Sequence, residues 1–424
     1  MDRPLTQNID PARGPLDLKG YQRAGGYQAA GKALRNMTPE EIIRQVTDAK
    51  LRGRGGAGFP TGRKWVGIPK GGDEPTARYL VVNADEMEPG SFKDRILLEG
   101  DPHQMIEGVI ISAFAIQAHT AYIFLRGEYT YAEQRLRRAI GEAYAAGHLG
   151  PRVLDTDFRL ELHLHMSAGR YICGESSALL SALEGRRAIP RKEVRSTTTG
   201  LWGKPTVVNN VETLYNVPHI ILRGVGDYLS LSRSANDGGT KIYGASGRVM
   251  HPGWWELPMG TPLRELLEEQ AGGMCKGCGF RALLPGGAST EFLLEPHLDV
   301  AMDFDALGSV GSRMGTGTLI VLDDRRCPVG MVHNLETFFA RESCGWCTPC
   351  RDGLPWTESV LRALEQGQGE DGDLEILEQL AKRMGPGHTY CALAPGAAEP
   401  LQSALRYFRE DFERHIRERR CCYV

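Results

Sequence analysis

Hydrophobic stretches of strand length alternate with amphipathic stretches of helix length through the first half of the chain. This pattern predicts strands at residues 78–83, 121–125 and 160–165, and helices at residues 102–118, 129–146 and 175–183. Another helix begins after Thr38, where Thr-Pro-Glu-Glu supplies an N-cap, a first-turn proline and acidic residues, and ends near Leu51. An irregular lead-in precedes it. The alternation predicts an α/β domain with a largely parallel sheet.

The pattern changes in the second half of the chain. Short strands at residues 241–243, 281–284 and 318–322, with a helix at 262–270, predict a small α+β module. After Cys327, helices at residues 333–342, 356–365, 374–384 and 399–417 predict a helical bundle. We therefore divide the chain into a lead-in with a glycine-rich loop (1–62), an α/β domain (63–235), the α+β module (236–326) and the bundle (327–424).

Four cysteines in the predicted bundle have the spacing of an iron–sulfur site. Cys344, Cys347 and Cys350 are each separated by two residues, and Cys391 follows in a distant glycine-rich loop. One short loop can place three thiolates around a cluster, and the remote thiolate can complete it. Four cysteine thiolates are the ligand set of a [4Fe-4S] cluster, which we favour. Zinc is the alternative, although structural zinc sites usually show two C-x2-C pairs.

Composition excludes several classes of protein. The 424-residue chain has a formal net charge of −3, which gives no indication of nucleic-acid binding. No apolar run approaches the length of a membrane span, and no secretory signal is evident. Ten cysteines without such a signal indicate metal ligation in a reducing compartment. We expect a cytoplasmic protein that reaches a membrane only through partner subunits.

The glycine-rich segment Gly53–Gly58 has the letters of a G-x-G-x-x-G motif. A dinucleotide fingerprint requires a strand before the motif, whereas here a helix precedes it, so we reject that interpretation. Several glycines flanked by Arg54 and Lys64 instead indicate backbone amides wrapped around a phosphate or a flavin. A flexible turn is the alternative.

Three further segments carry candidate ligand-binding groups. The acidic turn at residues 83–90 leaves the end of the first predicted strand, where open α/β sheets bind ligands. Residues 169–175 open a helix after a strand, so backbone N–H groups face outward there. Residues 205–213 contain an Asn-Asn-Val-Glu-Thr run. The alternatives are a solvated acidic turn for the first segment and an ordinary asparagine N-cap for the last.

Taken in chain order, these segments resemble the flavin-bearing, 51 kDa-type subunit of respiratory complex I and related diaphorase subunits of NAD-linked hydrogenases and formate dehydrogenases. The resemblance rests on residues 53–65, 83–90, 171–175, 200–206, 209–213, 302–305 and 315–317 and on the four cysteines. It covers nearly the whole chain. It implies a Rossmann-like FMN-binding domain, a small SLBB (ubiquitin-like) α+β module and a bundle that carries the cluster.

The resemblance also implies a set of site residues. FMN would be held by Gly53, Arg54, Gly55, Gly56, Ala57, Gly58, Lys64, Asn83, Asp85, Tyr171, Gly174, Glu175, Asn209 and Asn210, with Ser176 and Thr213 as adjoining candidates. Gly56, Phe59 and Glu88 would lie on the nicotinamide-nucleotide side, and Glu88 and Glu175 are the candidate catalytic residues. Cys344, Cys347, Cys350 and Cys391 would hold the [4Fe-4S] cluster.

The implied reaction is hydride transfer from NADH to FMN, followed by single-electron transfer through the cluster to partner iron–sulfur subunits. The implied partners are a [2Fe-2S] 24 kDa-type subunit and a larger iron–sulfur subunit. In a second hypothesis, the protein binds FMN and the cluster but receives its electrons from a partner protein. A third, a zinc-bearing scaffold, leaves the flavin motifs unexplained.

The chain departs from the family pattern at three places on the nucleotide side. Ser176 replaces a second glutamate, Gly67 replaces an aromatic residue, and residues 192–197 lack a proline- and phenylalanine-containing loop. Each lost aromatic contact removes about 0.5–1.5 kcal/mol of stacking. A missing carboxylate, with Lys192 and Arg195 nearby, also favours a more anionic nucleotide. We therefore hypothesise weakened or altered nucleotide binding, with NADPH as a possible substrate. Compensation by neighbouring residues is the alternative.

The remaining cysteines carry weaker signals. Cys275 and Cys278 form an isolated C-x2-C pair, for which we favour free thiols over a metal site or redox pair. Cys421 and Cys422 lie beside arginines in a tail that we interpret as partner-facing or disordered. Cys421 is fourth from the end, but the next two residues are unlike a prenylation box. Cys173 we interpret as structural, and Cys327 likewise.

Overall fold

Parallel β-strands form the centre of the first half of the protein in its computed structural model, which describes residues 2–69, 77–192 and 195–423. The strands are β1 (Tyr79–Ala84), β2 (Thr120–Leu125), β3 (Glu161–Met166), β4 (Thr206–Asn210), β5 (Thr240–Gly247), β6 (Gly253–Pro258), β7 (Phe280–Leu284) and β8 (Thr318–Asp323). The helices of the first half are α1 (Leu18–Arg23), α2 (Gln28–Asn36), α3 (Pro39–Asp48), α4 (Thr61–Val66), α5 (Lys93–Gly100), α6 (Pro102–Ala115), α7 (Thr130–Ala145), α8 (Ser176–Leu183), α9 (Ser196–Thr199), α10 (Val211–Arg223) and α11 (Val225–Ser230). Those of the second half are α12 (Phe304–Ser309), α13 (Pro328–Glu342), α14 (Thr348–Glu365), α15 (Asp373–Met384), α16 (Leu393–Tyr407) and α17 (Arg409–Glu418).

The chain divides into two compact units. The first comprises Met1–Met87, Phe92–Ile242 and Glu256–Gly260, and the second comprises Glu88–Ser91, Tyr243–Trp255 and Thr261–Val424. The sheet of the first unit has the order β3-β2-β1-β4, and its neighbouring strands all run parallel. The predicted α/β domain with a parallel sheet is therefore confirmed.

The second sheet has the order β6-β5-β8-β7 and is mixed. β5 and β8 are parallel, whereas β7 and β8 are antiparallel. Helices α13 to α17 follow it and pack on one another. The predicted α+β module and helical bundle are both confirmed.

Local sequence explains several of the helix starts. Thr38 caps α3 in a capping box with Glu41, as the sequence predicts. Asn210 caps α10 by accepting a hydrogen bond from the Glu212 N–H at 3.1 Å. Helix α6 is buried along nearly its whole length and packs against β1 and α10, which is typical of a core helix.

Several details differ from the sequence-based predictions. The lead-in is not irregular, because it contains α1 and α2. A short helix, α4, directly follows the glycine-rich loop, and the pattern does not predict strand β6. The predicted helix at residues 262–270 is a shorter π-helical segment at Glu265–Gln270.

The predicted helix at 399–417 is two helices, because the backbone leaves the helical conformation at Phe408. The Phe408 ring packs edge-on against Phe292, with ring centroids 5.3 Å apart. A tertiary contact of this kind leaves no trace in the local hydrophobic period.

The α6–α10 contact gives a test of the fold. A Cβ atom added at Gly108 would lie 2.3 Å from the backbone oxygen of Leu214, so Gly108→Ala must push the two helices apart. We expect it to lower the free energy of unfolding by about 1–3 kcal/mol. The measurement is urea denaturation followed by circular dichroism.

Gly141→Ala is the matched control, because it makes the same change on the exposed face of α7 with no atom within 4 Å. Alanine is the better helix former, so this variant should gain up to about 1 kcal/mol. Equal effects of the two substitutions would show that α6 and α10 are not in close contact.

Candidate functional site

The strand order of the first sheet reverses between β1 and β4, and several of the predicted site residues lie at the carboxyl ends of these strands. From β1 the chain proceeds outward to β2 and β3 and then returns to place β4 on the other side of β1. Asn83 pairs in register with Asn210, and Val82 pairs with Asn209. Open α/β sheets bind ligands in the crevice at such a reversal.

The glycine-rich loop joins α3 to α4 and approaches the end of β4. The Gly53 N–H donates to the Phe59 carbonyl oxygen at 2.9 Å and closes the loop. A Cβ atom on Gly55 would lie 3.1 Å from the Cβ atom of Asn210. Gly56 and Gly58 have φ values of 118° and 64°, where a side chain is strained. The loop therefore requires glycine both for its conformation and for its contact with β4.

The acidic turn after β1 meets the 3₁₀ turn Tyr171–Gly174, which precedes α8. The Asn83 side-chain amide donates to the Gly174 carbonyl at 2.9 Å, and the Asp85 N–H donates to the Asn83 Oδ1 atom at 3.1 Å. A Cβ atom on Gly174 would lie 3.8 Å from the Asp85 carbonyl oxygen. The fold thus brings together two predicted segments that are about ninety residues apart in the chain.

Glu175 and Ser176 lie at the start of α8. The Glu175 carboxylate accepts hydrogen bonds from the Ala178 N–H at 2.8 Å and from the Ser177 hydroxyl at 2.6 Å, so it caps this helix. Ser176 is the first helical residue and is half-buried. Both predicted residues therefore lie in the first turn of α8, where backbone N–H groups are free of helical partners.

Lys64 and Trp65, both in α4, contact β4. The Lys64 ammonium donates to the Val208 carbonyl at 2.9 Å, and the Trp65 indole N–H donates to Asn209 Oδ1 at 2.9 Å. Burial lowers the pKa of Lys64. Within the described part of the chain, Lys64 forms no ion pair with a carboxylate. Phe59 is 46% exposed, with its ring 6.0 Å from the Lys64 ammonium.

Glu88, the remaining predicted residue, belongs to the second unit. Its carboxylate accepts hydrogen bonds from the Ser289 N–H at 2.6 Å and from the Ser289 hydroxyl at 3.1 Å. A Cβ atom added at Gly287 would lie 2.6 Å from the Glu88 side chain, so glycine is needed beside it.

A network of buried charges lies at the ends of β4 and β5, and our sequence analysis did not identify it. Glu212 accepts from the Lys241 ammonium at 2.9 Å and pairs with Lys93 at 3.0 Å. Lys93 also pairs with Asp94 at 2.7 Å, and Asp94 accepts from the Asn210 amide at 2.6 Å. Glu212 falls in the Asn-Asn-Val-Glu-Thr run, but no sequence signal marks Lys93 or Lys241 as buried.

The charges of this network control one another's ionisation. Burial opposes the charged form of Glu212, but Lys241, Lys93 and Arg54 outweigh it and lower the pKa of Glu212 to about 2. Burial lowers the pKa of Lys241 to about 8, which still leaves it mostly protonated at neutral pH. Glu212 and Lys241 therefore remain mostly ionised at neutral pH.

Arg54 supports the glycine-rich loop from inside the protein. Its side chain is fully buried and donates to Asp237 Oδ1 at 2.7 Å and to the Gly238 carbonyl at 2.7 Å. Its backbone N–H donates to the buried Thr213 hydroxyl at 2.9 Å. Because the Arg54 guanidinium and the Thr213 hydroxyl are engaged here, both residues position the loop in this structure.

Cys344 and Cys347 lie in the loop between α13 and α14, and Cys350 lies in the first turn of α14. Three of the four predicted cluster cysteines are thus at one end of this helical pair. The Cys350 thiol is 3.2 Å from the Ser343 hydroxyl. Burial, together with the nearby Cys344 and Cys347, raises the pKa of Cys350 to about 11, although Ser343 opposes this. Ligation of iron here has to displace the thiol proton.

The fourth cysteine, Cys391, follows Tyr390 in the loop between α15 and α16. The Tyr390 N–H donates to the Cys347 sulfur at 3.3 Å, so the remote loop reaches the triplet. The Trp346 and Tyr390 rings lie 6.5 Å apart, and both are more than half exposed. The fold thus brings the two predicted cysteine segments together.

These residues fit the two cofactors that the sequence indicates. At the strand reversal, a loop of close-packed glycines, a lysine without a described carboxylate partner and two asparagines suit a phosphate and the hydroxyls of a flavin chain. In the helical bundle, four cysteines with an N–H···S hydrogen bond suit an iron–sulfur cluster. The fold and these sites define an oxidoreductase with FMN-binding and iron–sulfur-binding regions.

Comparisons with known proteins assign the family. Residues 46–219 match the Nuo51 FMN-binding domain, and residues 330–415 match the NADH-ubiquinone oxidoreductase-F iron–sulfur binding region. The chain is 56% identical to the NADH-quinone oxidoreductase F-subunit of Escherichia coli (strain K12) over 98% of this chain and 93% of that protein. The Salmonella typhimurium (strain LT2) protein of the same name shows the same identity and coverage. The chain belongs to the NADH-quinone oxidoreductase F-subunit family, as the sequence resemblance indicated.

A solved structure supports the same assignment. A chain of the NAD+-reducing [NiFe]-hydrogenase in its H2-reduced state is 34% identical, with a TM-score of 0.83. The match covers 94% of this chain and 66% of that chain, so the protein spans just under two thirds of the hydrogenase chain's length. No helix of the described ranges is long and apolar enough to cross a membrane.

The Arg54–Asp237 pair gives a test of how the loop is held. Asp237→Asn leaves a buried guanidinium without its carboxylate, which should cost about 3–5 kcal/mol of stability and loosen the loop. Urea denaturation and the FMN content of the purified protein measure the two effects.

Glu99→Gln is the control, because it removes the carboxylate from a more exposed ion pair with Arg95. It should lower the free energy of unfolding by only about 0.3–0.5 kcal/mol. Full stability and FMN content in Asp237→Asn would contradict a supporting role for this pair.

Proposed function

We propose that this chain is the electron-entry subunit of a multisubunit redox complex, which oxidises a reduced nicotinamide nucleotide. The observation that carries the proposal is the meeting of the glycine-rich loop, Asn83, Gly174 and Asn210 at the strand reversal, in a chain that also gathers four cysteines. FMN supplies the chemistry that links a two-electron hydride donor to one-electron carriers.

The protein's own groups provide binding and orientation. The backbone amides of the glycine-rich loop and the Lys64 ammonium would bind phosphate. Asn83 and Asn210 would bind hydroxyl groups through amides that the parallel register holds side by side. The free N–H groups at the start of α8 would stabilise negative charge next to them. Glu88 and Glu175 are the proposed catalytic residues, and Glu175 is held in place by its capping bonds.

The proposed partners are a [2Fe-2S] 24 kDa-type subunit and a larger iron–sulfur subunit, through which the complex would contact the cytoplasmic side of a membrane. The exposed Trp346 and Tyr390 support this part of the proposal. Exposed aromatic residues are enriched in protein interfaces, and these two flank the cysteine loops. A partner docked there would be well placed to accept electrons.

The proposed choice of nucleotide rests on the three places where the sequence departs from the family pattern, at Ser176, Gly67 and residues 192–197. Gly67 lies at the end of α4, where an added Cβ atom would be 3.5 Å from the Thr197 hydroxyl, so two of the departures are neighbours. Arg195 is exposed beside them, whereas residues 193 and 194 of the same loop lie outside the described residues. Fewer aromatic groups, more positive charge and Ser176 in place of a carboxylate support weaker adenine binding and acceptance of NADPH.

These same departures also support the second candidate function, in which the nucleotide site has degenerated and a partner protein supplies the electrons. An anaerobic titration of the purified holoprotein with NADH and then NADPH separates the two candidates. The flavin absorbance band and the reduced-cluster EPR signal are followed together, and dithionite is the control reductant. We expect either nucleotide to bleach the flavin. Reduction by dithionite alone would establish the second candidate.

Ser176 gives a sharper test of nucleotide choice. In Ser176→Glu, a carboxylate at the start of α8 would repel the additional phosphate of NADPH, so we expect the NADPH/NADH ratio of kcat/KM to fall about tenfold, equivalent to about 1.4 kcal/mol. Ser176→Gln has a similar size without the charge and should retain the wild-type ratio. The measurement is steady-state kinetics with an artificial electron acceptor. Equal behaviour of the two variants would exclude a charge effect at this position.

A further inference from the structure

Four metal-ligating side chains meet at the end of the helical bundle, remote from the predicted iron–sulfur cysteines. They are Cys327 before α13, Glu365 at the end of α14, His415 in α17 and Cys421 in the tail after α17, and we refer to them as the C-terminal cluster. Each offers one ligand atom, and these atoms all lie within 4.8 Å of one another. The set combines residues that are up to 94 positions apart.

Three of the four ligand atoms of the C-terminal cluster are spaced nearly as in a tetrahedral site. The Cys327 sulfur is 3.1 Å from Glu365 Oε1 and 3.4 Å from His415 Nε2, and these last two atoms are 3.2 Å apart. Zinc–ligand bonds of about 2.0–2.3 Å in tetrahedral geometry place ligand atoms about 3.3–3.8 Å apart. For these three atoms a zinc ion requires shifts of only a few tenths of an ångström, and the Cys421 sulfur lies within 4.8 Å of each of them.

We propose that the C-terminal cluster is a structural zinc site with Cys327, Glu365, His415 and Cys421 as its ligands. Two sulfurs, one imidazole nitrogen and one carboxylate oxygen are all common zinc ligands. Four protein ligands leave no open position, which is the property of a structural rather than a catalytic zinc site.

The imidazole is already oriented for ligation. The Nδ1 atom of the fully buried His415 lies 2.6 Å from the Asp411 carbonyl oxygen, which can only accept a hydrogen bond. Nδ1 therefore carries the hydrogen, and Nε2 is directed into the cluster. Histidines that ligate metals usually donate their other N–H group to a carbonyl or carboxylate in this way.

The Cys327 sulfur lies at the N-terminus of α13, which favours a thiolate, whereas burial and the Glu365 carboxylate raise the pKa of this thiol. It caps α13, a helix of 15 residues, and accepts a hydrogen bond from the Gly330 N–H at 3.3 Å. The N-terminus of a helix stabilises negative charge, and thiolate is the form that binds metals.

The tail that supplies Cys421 is held by contacts on both sides of this residue. After it, the Tyr423 hydroxyl donates to Asp411, and its ring lies 5.2 Å from the Arg414 guanidinium. Before it, a Cβ atom on Gly367 would lie 2.0 Å from the Arg419 carbonyl oxygen, so the chain is packed closely there. The sequence-based expectation of a partner-facing or disordered tail did not foresee these contacts within the bundle.

The site would fasten the end of the helical pair that is opposite the iron–sulfur cysteines. Helix α13 runs from Cys327 toward Cys344, and α14 runs from Cys347 back to Glu365. With 15 and 18 residues, the two helices are about 22 and 27 Å long. The predicted cluster and the proposed zinc ion would therefore hold opposite ends of one antiparallel helix pair.

Metal analysis of the full-length holoprotein, produced in medium supplemented with Zn²⁺, tests the proposal. We expect one zinc per chain in addition to the iron, measured by mass spectrometry of the elements. Zinc K-edge X-ray absorption should show two sulfur and two nitrogen or oxygen ligands. Absence of stoichiometric zinc, a zinc ion with four sulfur ligands, or a Cys327–Cys421 disulfide in the isolated protein would overturn the proposal.

Cys421→Ser and Cys422→Ser form a matched pair of variants in the tail. Loss of an outer-sphere partner of a metal ligand typically weakens metal binding by about 10–100-fold, and loss of the ligand itself should weaken it at least as much. Cys421→Ser should therefore lose its zinc on dialysis against a chelator. Cys422 is outside the cluster and contacts Glu418, so Cys422→Ser should retain zinc. Unchanged iron and FMN contents in both variants show that they have folded. Equal zinc retention by the two variants would also overturn the proposal.

Discussion

The arrangement of the flavin-binding unit depends on the ion pairs of one buried carboxylate, that of Glu212. A carboxylate with no exposed surface is tolerated only when cations compensate it. Lys241 and Lys93 compensate it by direct ion pairs, and Arg54 does so from a greater distance. Asp94 and Asp237 balance the remaining positive charge. The charges therefore cancel in a set of three cations and three carboxylates. Because these residues come from separate segments, satisfying Glu212 fixes the end of β4, the start of α5 and the glycine-rich loop together.

This network explains why the loop can consist so largely of glycine. Glycine provides close approach and unusual φ values but costs conformational entropy, so a loop of this kind requires an anchor. Arg54 supplies one through its side chain, its pairing with Asp237 and the hydrogen bond of its N–H to Thr213. The side chain between two glycines thus faces inward and anchors the loop.

The helical bundle brings together cysteines from distant segments of the chain. An antiparallel helix pair carries three of the predicted iron–sulfur cysteines at one end, and the remote loop reaches them through a backbone N–H···S bond. At the other end of the pair, the chain's last helix and its tail bring two more ligand atoms to Cys327 and Glu365. Both ends of the pair are thus joined by side chains from other elements, which limits how far α13 and α14 can move apart.

The sequence by itself determined the alternation of strands and helices in the first half of the chain, the parallel α/β class and the four cysteines, because periodicity, caps and C-x2-C spacing are local properties. It also indicated the family, because the glycine-rich loop, the asparagine segments and the cysteines occur in one order. Only the tertiary structure decided that Asn83 and Asn210 lie side by side, that Lys93 and Lys241 are buried, and that His415 meets Cys421. Each of these facts depends on contacts between distant segments, and a charged residue that is buried and compensated looks the same in a sequence as one exposed to water. The break at Phe408 has the same origin, since packing against Phe292 overrides a local helical pattern.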